Sequence, residues 1–187
     1  MNAYCYYGSY CEQLCFQIDS INHNTPICDC AIGYKLNSDG RTCSPRADKY
    51  IIYSTHSLLR AFDYRSNDSA REDVMPLIPG NNMEMLSVRY ANRELYWIHD
   101  NRLIRRAIWT NDRKWNVTNY LRVSVAAQQN FILGLTLDWI AGNLYFSYIS
   151  NTYGHLEVNR LGTDHRLVLR KGKNETIYSI AVNPKRR

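Results

Sequence analysis

GLTLDWIAGNLYF, residues 134–146, is the stretch on which the fold turns. In Leu133-Gly134-Leu135-Thr136-Leu137-Asp138-Trp139 every second residue is large and apolar, the period of a strand that buries one face. The stretch also recurs. MLSVRYANRELYW, residues 85–97, aligns with it at an offset of 49, and Ile180-Ala181-Val182-Asn183-Pro184 opens a third copy at an offset of 45 from Leu135-Thr136-Leu137-Asp138-Trp139. A second line repeats in the same order: Leu59-Arg60-Ala61-Phe62, Ile104-Arg105-Arg106-Ala107 and Leu156-Glu157-Val158-Asn159. Nowhere does helical periodicity last beyond a couple of turns. Short strands recurring at this interval are the pattern of propeller blades, at about 40–50 residues each. A coincidental pair of hairpins in a sandwich would not repeat two independent lines in one order.

Upstream of the repeats the chemistry differs. All six cysteines, Cys5, Cys11, Cys15, Cys28, Cys30 and Cys43, fall in the first 43 residues. So short a segment cannot bury enough apolar surface to fold unaided, and an even set of cysteines at close spacing reads as a disulfide framework in an oxidising compartment. Zinc is disfavoured, because no CxxC pair occurs and the segment's only histidine is His23. Six cysteines allow about 15 pairings, so spacing alone leaves connectivity open. Composition shifts after Cys43. Residues 1–45 carry two Lys or Arg against four Asp or Glu, a net of −2, whereas residues 46–187 carry 21 against 13, a net of +8. Ser44-Pro45-Arg46 is the expected junction, since proline interrupts a strand and stiffens a link. Two domains follow: a module over 1–45 and a β-repeat segment over 46–187.

CDCAIGYKLNSDGRTC, residues 28–43, with Cys11-x-x-x-Cys15 before it, resembles an epidermal-growth-factor-like module. The resemblance implies the bridges Cys5–Cys15, Cys11–Cys28 and Cys30–Cys43. Each closes a loop of ten or more residues and contributes about 2–4 kcal/mol. Asp39-Gly40 is a strong two-residue hairpin signal, because both central positions of that turn take a positive φ. Calcium-binding members carry acidic residues before the first cysteine, whereas this chain has Met1-Asn2-Ala3-Tyr4, so no cofactor, calcium included, is expected.

The lines ANRELYWIHD (residues 91–100) and DWIAGNLYFSY (residues 138–148) resemble the YWTD repeats of the low-density lipoprotein receptor family, and WIAGNLYFSYISNTYGHLEVNRL resembles those of its giant receptor-related, megalin-like members. The resemblance implies a mainly β chain: an EGF-like module followed by an incomplete YWTD-type six-bladed β-propeller, with about two to three blades present. Both copies lack the repeat's final Thr-Asp, having Ile98-His99 and Ser147-Tyr148 there. In the family that aspartate ties neighbouring blades, and Asp100 is the expected substitute. Six closed blades at roughly 40–45 residues each would need well over 200 residues, so the chain is expected to be a fragment of a larger receptor. It shows neither a signal peptide nor a membrane-spanning run of ~20 apolar residues.

Candidate functional residues fall into three groups. Three glycosylation sequons are present, at Asn67, Asn116 and Asn174. His99, His56, His155 and His165 are candidates for a pH switch, His99 foremost because it follows the aromatic pair, against the plain alternative of surface histidines. Arg102, Arg105, Arg106, Arg113 and Lys114 form a basic cluster, either a solvated strand face or a patch for an acidic partner such as the acidic ligand-binding repeats of the same receptor. Nucleic acid conflicts with the oxidising compartment. No metal site is expected, and no enzyme is expected either: HExxH, GxSxG, P-loop and GxGxxG are absent, and Asp164-His165 lacks a nucleophile.

The resemblance implies part of the extracellular region of an endocytic receptor, handling protein or lipoprotein ligands and releasing them at low pH. Such a receptor works at the outer face of the plasma membrane and in endosomes, held by a single membrane span elsewhere in the full-length chain. A nidogen-like matrix protein and a signalling co-receptor whose propeller binds protein ligands are the alternatives.

Overall fold

The computed structural model describes residues 5, 10–17, 26–31, 33–45, 50–63, 73–112, 114–123 and 131–184. His23, Asn67, Arg113, Met1–Tyr4 and the Arg46 of the junction lie outside these. Among the described residues there are fifteen strands and no α-helix. Two compact units are formed, Met1–Ile52 with Arg60–Leu77, and Tyr53–Leu59 with Ile78–Arg187.

The first unit is held by covalent staples. Strands β1 (Leu14–Gln17) and β2 (Pro26–Asp29) pair antiparallel, as do β3 (Tyr34–Leu36) and β4 (Cys43–Pro45). Disulfides join Cys5 to Cys15, Cys11 to Cys28 and Cys30 to Cys43, with Cα separations of 5.7, 5.3 and 5.9 Å. Cys15 and Cys28 face each other across the β1–β2 ladder, yet each bonds a cysteine outside it. Glu12 links the halves of the module: its N–H donates to Arg41 O (2.9 Å) and its Oε2 accepts from Cys43 N–H (2.6 Å). Gly33 is so close to Val74 that a Cβ there would overlap the Val74 carbonyl oxygen. Further along, Arg60 makes a bidentate pair with Asp73, at 3.0 and 2.8 Å.

The turn at Asp39-Gly40 departs from the expected two-residue hairpin. Leu36 pairs with Cys43, Asn37 N–H donates to Thr42 O (2.8 Å), and only Gly40 takes a positive φ, 66°. Asp39 instead spends its carboxylate on the loop, accepting from Thr42 Oγ1 (2.6 Å), Arg41 N–H (2.9 Å) and Thr42 N–H (3.0 Å). These bonds, the Thr42 hydroxyl foremost, lower its pKa to about 2. The tight turn with two positive φ values occurs elsewhere, at Asp100 (50°) and Asn101 (56°), closed by Arg102 N–H to His99 O at 3.3 Å.

The second unit contains two consecutive four-stranded antiparallel meanders. Blade A is β8 (Met83–Arg89), β9 (Glu94–His99), β10 (Leu103–Trp109) and β11 (Trp115–Arg122); blade B is β12 (Phe131–Asp138), β13 (Asn143–Ser150), β14 (Tyr153–Arg160) and β15 (Arg166–Lys173). Ahead of them lie β5 (Ile51–Ser54), β6 (Leu58–Phe62) and β7 (Ile78–Pro79), with Leu58 and Leu59 of β6 paired to Pro79 and Ile78 of β7. The first repeating line thus supplies strands one and two of each blade, and the second line supplies the third strand. The β8–β9 and β12–β13 connections share a backbone demand: Arg93 at φ 54° occupies the place of Gly142 at φ 69°. Asp138 Oδ1 shapes the second of these by accepting from Ile140 and Ala141 N–H groups, at 3.0 and 2.8 Å.

Strand alternation sends Tyr96 and Ile98 of blade A toward Leu144, Phe146 and Tyr148 of blade B. Together with Ile104, Val123, Ile132, Leu135 and Leu137 they form one buried cluster, the seam between the blades. A polar tie crosses it: Tyr120 on β11 donates its hydroxyl to Asn159 Oδ1 on β14, at 2.6 Å. A backbone tie adds to it, from Ile132 N–H to Asn101 O, at 2.6 Å. Asp100, the expected substitute for the missing repeat aspartate, is exposed beside His99 instead. Its place on the outer side of a tight turn points the carboxylate to solvent, and the link passes to Tyr120 and to the Asn101 backbone.

Ile180–Pro184, the expected opening of a further copy, forms no strand. A strand exists only through a ladder to a neighbour, and these residues have none among those described. The preceding segment lies on the face of β13 turned away from blade A, where Ser147 Oγ donates to Ile177 O at 2.7 Å. Two substitutions measure the seam. Phe146→Ala removes a fully buried ring and is expected to destabilise by about 3–5 kcal/mol. Tyr120→Phe strands the buried Asn159 amide oxygen at a cost of about 1–3 kcal/mol. Denaturant unfolding of the oxidised protein checks both, and a Tyr120→Phe variant of unchanged midpoint would show that the tie is not structural.

Candidate functional site

On β14, His155, Glu157 and Asn159 are spaced by two and therefore share one face. Their cross-strand partners on β13 are Tyr148, Phe146 and Leu144, which belong to the seam. All three polar residues are buried. In YGHLEVNR, residues 153–160, it is the polar set that turns inward, while Leu156 and Val158 are only partly buried.

Each buried group has a distinct arrangement. Glu157 is satisfied twice, by the Tyr148 hydroxyl at 2.6 Å and by Arg166 Nε. The Arg166 guanidinium also lies 5.0 Å from the Phe146 ring centroid and 5.9 Å from that of Tyr148, so a single cation serves the carboxylate and the aromatic faces. Burial first, and then the Glu157 carboxylate, push the Tyr148 hydroxyl up to about 12. Asn159 accepts from Tyr120 and donates to Thr163 O (3.2 Å) and His165 O (3.1 Å), which holds the β14–β15 turn against the seam.

His155 differs from these because it is not fully satisfied. Its ring stacks on Tyr148 at 4.5 Å with an interplanar angle of 8°, and its Nδ1 has no hydrogen-bond partner among the described residues. Burial lowers its pKa below the usual imidazole value, and the Lys171 and Arg166 charges lower it further against the opposing pull of Glu157. Lys171 stands directly opposite His155 on β15. A proton arriving here would put a cation in a buried site already flanked by two others. The chemistry available is a response to pH.

The remaining sequence-selected residues are distributed differently. His99 is buried at the end of β9, with Nε2 3.3 Å from Asp100 Oδ2 and Nδ1 lacking a partner among the described residues. His56 and His165 are exposed in turns. The basic cluster does not converge. Arg105 and Arg106 are adjacent on β10 and point to opposite faces; Arg105 donates to Asn119 Oδ1 (3.2 Å) and Arg106 lies 5.8 Å from the Tyr120 ring centroid. Arg102 immediately precedes β10, and Lys114 lies in the turn that follows that strand and leads into β11. Asn116 is exposed on β11, and Asn174 is exposed immediately after β15. Asp164 and His165 share the β14–β15 turn, both exposed. Among the described residues no group of three or more His, Cys, Asp or Glu is placed to hold a metal ion, and no helix is long and apolar enough to cross a membrane.

Sequence reasoning missed Tyr120, Asn159, Glu157 and Arg166. The polar triplet at every second position of β14 was the available signal, masked by the apolar residues between.

The lowered pKa of His155 fixes the sign of a pH effect. The unfolded chain, with an imidazole pKa of about 6.5, binds the proton before the folded one does. The stability contribution is therefore whole above that value and is lost as pH falls through it toward the lowered folded value. His155→Phe keeps an aromatic ring against Tyr148 and removes the proton. Melting temperature measured from pH 7.5 down to 5 is expected to fall less steeply in His155→Phe than in the parent protein, and parallel curves would exclude His155 as the group responsible.

Comparison with known proteins bears on both parts of the chain. Residues 5–46 match the family model of the LRP2-like, EGF-like domain. The chain is 26% identical over 137 residues to the vitellogenin receptor Yl of Drosophila melanogaster, an alignment covering 70% of this chain and 6% of that receptor. The crystal structure of a nidogen/laminin complex aligns with 65% of this chain and 61% of its own at 13% identity and a TM-score of 0.35. In its EGF-like module and in its receptor relative, the chain is similar to the low-density lipoprotein receptor family.

Proposed function

We propose that the chain is part of the extracellular region of an endocytic receptor, with residues 1–45 as its EGF-like module and 46–187 as blades of a YWTD-type propeller, and that it takes part in handling and releasing protein or lipoprotein ligands. The observation that carries this reading is the similarity over 137 residues to a vitellogenin receptor, joined to the module match at residues 5–46. A receptor that meets ligand at the cell surface and parts from it in an acidifying compartment needs a group that changes charge between those conditions. His155 fits that need better than His99, which the sequence had favoured. It combines a buried ring, an unpartnered nitrogen and two flanking cations.

At neutral pH the imidazole is uncharged and the seam is closed. In an acidic compartment the added proton repels Lys171 and Arg166 and strains the Tyr148 stack, which weakens the hold of blade B on blade A. Binding energy that depends on the closed seam then falls.

The test uses the full-length receptor on cells, with a labelled vitellogenin-class lipoprotein as probe. Uptake of the probe is expected, and its release on acidification is expected to shift to lower pH in His155→Phe. A full-length protein that neither binds nor internalises the lipoprotein would defeat the receptor reading. Uptake with an unchanged release midpoint would leave that reading standing and remove His155 from it.

A further inference from the structure

Among the described residues the last strand of each meander has no further strand paired to it, which leaves a row of backbone donors and acceptors ready to pair with another chain, and soluble β proteins blunt such edges with charge, proline or cover. The two outer strands here differ in how they could do so. β15 carries Arg166, Arg170, Lys171 and Lys173, with one cation on each side of the exposed run Leu167-Val168-Leu169. β11, WNVTNYLR, carries no charge from Trp115 to Leu121 and no proline. It is rich in strand-forming residues, it exposes Val117, and one side of it pairs with β10 from Leu103 to Trp109 while the other has no strand neighbour among the described residues. That combination is a template for edge-to-edge association.

β11 is also the strand that contains a sequon. Asn116 and Thr118 are both exposed with blade B in place, and they pair with Ile108 and Arg106 of β10. Asn174 follows β15 rather than lying in it. We propose that Asn116 is an N-glycosylation site and that its glycan is the device that closes the blade A edge, doing on β11 what the four cations do on β15. The three disulfides of the N-terminal module call for the compartment in which this modification takes place. In the transfer, the donor is a lipid-diphosphate-linked oligosaccharide. The bond from the sugar's C1 to the diphosphate oxygen breaks, a C1–Nδ2 bond to Asn116 forms, the amide nitrogen loses one proton, and the lipid diphosphate departs. The bulky hydrated glycan then stands beside the open edge and keeps a second strand out.

The experiment is secretion of the full chain from an animal-cell host as the parent protein and as Asn116→Gln, Thr118→Ala and Asn116→Lys, each followed by intact mass and by size-exclusion chromatography with light scattering. All three variants are expected to lose the mass of one glycan. Asn116→Gln and Thr118→Ala are expected to move a larger share of the protein into oligomers, whereas Asn116→Lys, which supplies a charge on the edge in place of the glycan, stays as monodisperse as the parent. An unchanged mass in Asn116→Gln overturns the site. A lost glycan with no gain of oligomer, or oligomers in Asn116→Lys equal to those in Asn116→Gln, overturns the edge role. Should Asn116→Gln and Thr118→Ala not be secreted, the secreted Asn116→Lys protein decides: monodisperse material supports the edge role and oligomers overturn it. None of these readouts depends on the receptor reading, so the two can fail separately.

Discussion

The seam between the two meanders is the contact on which the second unit depends. A four-stranded antiparallel sheet cannot bury both its faces by itself, and blade A and blade B each solve this by offering one face to the other. Tyr96, Ile98 and Ile104 meet Leu144, Phe146 and Tyr148 there, and a buried side chain of this size contributes about 1.5–3 kcal/mol. The seam also explains why polar residues can be buried beside it. Asn159 is satisfied by Tyr120 across the seam and by the β14–β15 turn on its own side, so desolvation of the amide is offset on both. Without blade A, the same asparagine would sit on a bare apolar face.

The N-terminal module solves the same problem by different means. Among its described residues only Cys28 is buried, and Leu14, Phe16 and Ile27 are exposed on its short strands. Three disulfides and the side chains of Glu12 and Asp39 take over the work that a core does elsewhere. In a module so small, single polar side chains decide loop shape. Asp39 shows it, since three hydrogen bonds to one carboxylate are enough to replace a tight hairpin with a longer loop.

Much of the fold could be read from the chain itself. The strand lines around residues 85–97 and 134–146 appear in the structure as the first two strands of consecutive blades, because period-2 alternation and interval survive whatever the neighbours do. Backbone details were less legible. Arg93 adopts the left-handed conformation where the next copy has Gly142, which shows that the turn is imposed by the repeat rather than chosen by the residue. Ile180–Pro184 matches the opening of a blade in sequence and yet is no strand, because a strand needs a hydrogen-bonded neighbour and a sequence match does not supply one. The site was the least legible part. In residues 153–160 alternation gives Leu156 and Val158 to one face and His155, Glu157 and Asn159 to the other, and simple patterning assigns the apolar set to the core. The structure buries the polar set more deeply, because Tyr148 and Arg166 on the two paired strands and Tyr120 on the preceding blade satisfy it, and the pattern of residues 153–160 alone shows none of these partners.

The burial of that face has a consequence for how the two blades can communicate. Glu157 is neutralised by Arg166 and Asn159 is hydrogen-bonded, so neither favours any change in the seam. Of these three residues, His155 is the one whose ring nitrogen lacks a partner among the described residues, beside a ring that can stack with it only while the strands hold their register. The Glu157 carboxylate on the same face already accepts from Tyr148 and Arg166, so a protonated His155 would have to share it with them. A buried network with a single unsatisfied member is where a proton does most, since every other member resists rearrangement. His155 faces Tyr148 on β13 and Lys171 on β15, so a charge placed on it would act first inside blade B and would reach the seam with blade A through Tyr148.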